Sequence, residues 1–133
     1  MIAQLKTELY QILKEDLSYN VTDNPYGEET KSFPYVLLTL QDTYRDKRKD
    51  AYFYRIKFKI DIFSDYSGEK EIFDMEQEIF ENIEKLYNNE FVTYIRESGF
   101  RIMDDKSTGV MRKHGIITYT IYSTGGIEEQ WSI

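Results

Sequence analysis

Between residues 52 and 66 the chain reads YFYRIKFKIDIFSDY. Tyr54, Ile56, Phe58, Ile60 and Ile62 take alternate positions, and Arg55, Lys57, Lys59 and Asp61 fall between them. Side chains on a strand point to opposite faces in turn, so this spacing puts the apolar set on one face and the charged set on the other. On a helix, at about 3.6 residues per turn, both sets would be scattered around the axis. The apolar face needs a covering layer. A slip of one residue would bury the charges, so burial also fixes the register. What the basic row meets is open at this stage: water, another protein or nucleic acid.

The surrounding segments supply the cover. Residues 2–17 place Ile2, Leu5, Leu9, Ile12 and Leu13 at helical spacing, which predicts an amphipathic helix ending near residues 18–20. The polar stretch NVTDNPYGEETKS (20–32) reads as a loop broken by Pro25 and Gly27. FPYVLLTLQDTY (33–44) reads as a strand with Pro34 at its start, and the charged segment 42–51 as the tip of a hairpin with frayed ends. A second helix is predicted from Ser67-Gly68, with Ser67 as N-cap. Its main stripe is Ile72, Met75, Ile79, Ile83 and Leu86, and Phe73, Phe80 and Tyr87 widen its apolar face. Residues 91–95 are either a helical turn or a strand, 99–103 a short strand, and 110–124 a final alternating strand closed by a Gly125-Gly126 hinge. The expected fold is α+β: a mostly antiparallel four-stranded sheet with two helices on one face, in the order α-β-β-α-β-β. The expected domains are 1–124, with 125–133 as a C-terminal tail.

With 133 residues the chain suits one domain and one core. No apolar run approaches the ~18 residues that cross a bilayer, and the N-terminal stretch is amphipathic rather than signal-like. No membrane role is expected, and synthesis in the cytoplasm is. Without cysteine, disulfides and thiolate metal sites are excluded. His114 is the sole histidine, and no phosphate-binding glycine loop, nucleophile elbow or zinc motif is present. The expectation is therefore no enzyme, no catalytic residue, no cofactor and no metal. A net charge of −7 disfavours a general nucleic-acid binder, yet the charge is divided. Residues 45–59 hold seven basic and two acidic side chains, whereas 69–90 hold eight acidic and two basic ones. Two oppositely charged faces suit association between copies or with a partner. Twelve tyrosines, a residue type favoured at interfaces, point the same way.

The segment order and several landmarks resemble a known family. The landmarks are Phe33-Pro34-Tyr35-Val36 opening a strand, the strand-to-helix passage IDIFSDYSGEKE, a glycine-led strand, and a final strand ending YTIYSTG. Over residues 1–124 the chain resembles the tail-completion, or tail-to-head joining, proteins of long-tailed bacteriophages and prophages. That resemblance implies a structural virion protein without catalysis. It implies a homo-oligomeric ring, typically hexameric, between the tail tube protein and the head connector protein, in the host cytoplasm during assembly and then in the virion neck. The free subunit is expected to be monomeric at low concentration. Tail terminators, which cap the tail tube, share this fold, and the two roles stay open. So does a small nucleic-acid-binding or regulatory protein using the basic strand face.

The candidate partner-binding residues are Arg55, Lys57, Lys59 and Trp131. The basic row can be solvated, can meet an acidic surface such as the Glu-rich helix of a neighbouring subunit, or can line a lumen that DNA passes through. Reversing Lys57 and Lys59 to Glu is expected to leave folding intact, since neither belongs to the apolar set. Trp131 is expected to cover an apolar patch on its own or another subunit.

Overall fold

A computed structural model describes residues 1–24, 33–65, 68–106 and 112–126. In chain order the elements are α1 (Ile2–Asp16), β1 (Asn20–Thr22), β2 (Tyr35–Lys47), β3 (Ala51–Ser64), α2 (Lys70–Ile83) with a 3-10 extension (Glu84–Asn88), β4 (Val92–Asp105) and β5 (Arg112–Gly126). They form an α+β fold with two helices and one five-stranded sheet in the order β1-β2-β3-β5-β4. Every strand pair is antiparallel except β1–β2.

The fifth strand corrects the expected four. Asn20–Thr22 carries loop-like composition, yet Val21 and Thr22 are buried where the segment pairs parallel to β2, Val21 opposite Val36. The rest of the expected loop, 25–32, lies outside the described residues. The two short segments expected at 91–95 and 99–103 are one strand, β4. Its register against β5 shifts between Val92 and Tyr94 and again between Glu97 and Gly99. Each shift is a bulge, which breaks the alternation a continuous strand would show. The hairpin of β2 and β3 is paired to its end. Lys47 pairs with Tyr52, and the Arg48 N–H donates to the Ala51 carbonyl at 2.9 Å. Beside this hairpin end, β5 includes Gly125 and Gly126, opposite Tyr52 and Ala51, so the expected hinge is paired strand.

The core follows the two periodicities. Tyr54, Ile56, Phe58, Ile60 and Ile62 of β3 are buried, opposite Ile117, Tyr119 and Ile121 of β5 and Val36 and Leu38 of β2. Leu5, Leu9 and Leu13 of α1 and Ile72, Met75, Ile79 and Ile83 of α2 cover that face, and the 3-10 turn adds Leu86. Fully burying side chains of this size stabilises by roughly 1.5–3 kcal/mol each. Gly115, opposite Ile62, lets α2 come close to the sheet: a Cβ there would sit 3.0 Å from Ile72 Cγ2 and 3.4 Å from a Phe100 ring carbon. The Glu78 carboxylate accepts from the Ser18 N–H and hydroxyl, both at 2.8 Å, which ties the exit of α1 to α2.

Two expectations for α2 are corrected. Its first helical residue is Lys70, with Glu69 at the N-cap and no side-chain cap; Ser67 lies outside the described residues. Phe73, Phe80 and Tyr87 do not widen the buried face, being 50, 45 and 44% exposed. Each follows a buried residue (Ile72, Ile79 and Leu86) by one position, and one position turns the helix by about 100°. The row therefore runs along a flank of α2.

Candidate interaction face

The sheet face opposite the helices is where the basic row lies. Register places Arg55, Lys57 and Lys59 of β3 beside Tyr122, Thr120 and Thr118 of β5. On the other side they meet Tyr44, Asp42 and Thr39 of β2. This is the arrangement the alternation at 52–62 predicts, with the hydroxyl row of β5 along its border.

The three cations are not equivalent. Arg55 is exposed, and its guanidinium lies 5.0 Å from the centre of the Tyr44 ring. Lys57 is half-buried, opposite the exposed Asp42. Lys59 Nζ lies 3.7 Å from Asp61 Oδ2, and Asp61 is buried. Lys59 is thus committed to a carboxylate in its own strand. Replacing it with Glu would set two negative charges together at a buried site, which argues against the expected harmlessness of the Lys57/Lys59 reversal at Lys59.

Asp61 also pairs with His114 Nε2 at 2.7 Å, across the β3–β5 ladder. The imidazole stacks on Phe63 with centroids 4.3 Å apart, Phe63 stacks on Tyr35 at 4.6 Å, and Tyr35 meets Phe33 at 5.3 Å. The Arg112 guanidinium covers the Phe33 ring at 4.3 Å. This end of the open face is a ladder of rings built over a buried carboxylate. Sequence reasoning passed over it. Its signal was a charged residue between two isoleucines in the most apolar part of β3.

The centre of the face is polar. Ser98, at the second bulge of β4, lies 3.1 Å from the Thr120 hydroxyl and donates to the Thr118 carbonyl at 3.3 Å. Beyond it, Tyr94 and Tyr122 stack at 5.8 Å. Such a surface offers cations, hydroxyls and ring edges to an acidic or aromatic partner. Among the described residues no group of three or more His, Cys, Asp or Glu side chains could hold a metal ion. No helix among them is long and apolar enough to cross a membrane. Trp131, the fourth candidate, lies outside the described residues.

On the helix side, Glu76 of α2 meets Glu97 of β4. Burial first, then repulsion by Glu97 and a hydrogen bond with it, raise the Glu76 carboxyl above its ordinary pKa. The neighbouring Tyr119 hydroxyl is buried without a hydrogen-bond partner, and burial, then the two carboxylates, raise its pKa as well.

The chain shares its fold with a virion protein. One similar solved structure is a chain from the virion of a native gene transfer agent (GTA) particle: 18% identity, a TM-score of 0.50, and coverage of 92% of this chain and 97% of that one. At that identity the likeness concerns fold, and it extends over nearly the whole of both chains. No family model matches the chain, and no curated relative does.

Proposed function

We propose that this chain is a structural protein of a phage-like virion, and that it acts in the neck as a ring subunit joining the tail to the head connector. The observation that supports this reading most is the fold likeness to a chain of a gene transfer agent virion, which spans 92% of this chain. The resemblance of Phe33-Pro34-Tyr35-Val36 and IDIFSDYSGEKE to tail-completion proteins narrows the reading to the neck. The function is mechanical, with no bond made or broken. The covered sheet face holds the subunit rigid, while the open face and the two sheet edges present cations, rings and hydroxyls to neighbours. Tail tube protein and head connector protein are the partners in this reading, and DNA meets the subunit only in passing.

Deleting the gene from the genome that encodes it tests the reading. DNA-filled heads and separate, complete tails are expected by electron microscopy. Joined, infectious particles from the deletion would refute the neck role.

A further inference from the structure

Exposed large rings fall into two main groups, set at opposite edges of the sheet and in opposite charge surroundings. The first is the arm at the end of the β2–β3 hairpin. Both of its faces carry cations over rings. On one face, Arg45 lies over Tyr54 at 5.6 Å and Lys47 over Tyr52 at 5.9 Å. On the other, Arg55 lies over Tyr44 at 5.0 Å and Arg48 over Phe53 at 4.8 Å. Tyr44 and Phe53 are exposed, and so is Lys49 in the turn. The second group is the row Phe73, Phe80 and Tyr87 on the flank of α2. Gln77 and Glu84 fall into the gaps of this row at helical spacing, and Glu81 borders it. All three are exposed.

The two groups cannot meet within one chain. The α2 row runs beside β4, one edge of the sheet: Phe73 packs edge-on against Phe100 at 6.1 Å, and the Tyr87 hydroxyl accepts the Ile95 N–H at 2.8 Å. The arm belongs to β2 and β3, with β5 between it and β4. One patch is cationic and aromatic, the other anionic and aromatic. They are complementary in charge and alike in the ring content that carries binding energy at protein interfaces.

We propose that the β2–β3 arm of one copy docks on the Phe73–Phe80–Tyr87 row of a second copy, so that copies associate head to tail. Arg45, Lys47 and Lys49 then face Glu81 and Glu84 of the neighbour, and Tyr52, on the same face of the arm as Arg45 and Lys47, meets its exposed rings. A contact between two different patches leaves one free at each end, so it propagates until it closes on itself. The inference rests on the ring-subunit reading for that closure and names the surfaces that make it.

The test uses two charge-reversal variants of the full chain. Lys47→Glu with Lys49→Glu spoils the arm and leaves the helix row intact; Glu81→Lys with Glu84→Lys does the reverse. All four positions are exposed, and circular dichroism and thermal melting check that both variants fold as wild type. By sedimentation velocity at millimolar concentration and low salt, wild type should assemble. Each variant alone should lose at least about tenfold in self-association, because like charges then face each other. The mixture decides the matter: an intact arm meets an intact row, and the reversed arm meets the reversed row with opposite charges, so the mixture should recover assembly that neither variant shows alone. A mixture that stays monomeric overturns the proposal. So does either variant assembling as wild type does, or wild type remaining monomeric, in which case these patches serve a different virion protein. None of these outcomes bears on the neck reading, which stands or falls on the deletion phenotype.

Discussion

The two faces of β3 show how differently one strand can be constrained. On the helix side, Tyr54, Ile56, Phe58, Ile60 and Ile62 are each 3% exposed or less and pack against both helices and both neighbouring strands. On the other side, Arg55 is exposed, Lys57 and Lys59 are half-buried, and Asp61 is as buried as a core residue. Burial dictates the first face completely, so sequence periodicity predicts it. The second face is a mixture. Its free cations are available for contact, while Asp61, Lys59 and His114 form a local structural unit that the strand period does not foretell.

The contrast can be broken most directly from the covered side. Ile60→Ala removes a fully buried side chain from the middle of the sheet and should cost about 2–5 kcal/mol in urea unfolding. A loss under about 1 kcal/mol would mean that the helices do not pack there as described. Asp61→Ala tests the exception on the open face. It leaves His114 and Lys59 without their carboxylate and should cost about 1–3 kcal/mol. If it is neutral, the ring ladder does not depend on the buried pair.

Smaller effects sharpen the comparison. The folded-state pKa of Glu76 lies above its unfolded value, so the folded protein holds this proton more tightly. Its contribution to stability is full at pH values below the unfolded carboxyl pKa and is lost as pH rises through the folded one. Glu76→Gln, which cannot ionise, should therefore melt higher than wild type near neutral pH and level with it in acid. A gain confined to acid would have the wrong sign. The smallest effect belongs to Lys57→Glu, which sets a second carboxylate opposite the exposed Asp42 and should cost less than about 1 kcal/mol. A large loss would place Lys57 in the structural unit with Lys59 rather than on the free surface.

The same physics separates what was legible from what was not. Helices α1 and α2, the hairpin and the last strand all announce themselves by apolar spacing, because each buries one stripe or one face. Strand β1 does not, since three residues are too few to show a period and Asn20 and Thr22 look like loop. Strand β4 hides behind the bulges near Thr93 and Ser98, which reset its alternation and split it into the segments 91–95 and 99–103. The row Phe73, Phe80 and Tyr87 at sevens reads as a wide apolar face, which suits a helix laid across a sheet. Only the docking angle of α2 could reveal that the row is exposed. The basic row at Arg55, Lys57 and Lys59 was found where expected, but the Lys59–Asp61–His114 grouping spans 53 residues of sequence between its carboxylate and its histidine. The cationic arm depends on the pairing of the hairpin as far as its turn, which a highly charged segment without apolar alternation does not announce.

The proposed role requires above all that this chain be built into a particle. Quantitative mass spectrometry of particles purified from the encoding genome tests that most directly. Joined particles should contain the chain at a small, fixed copy number, retained through gradient purification. Joined particles that lack it would contradict the claim.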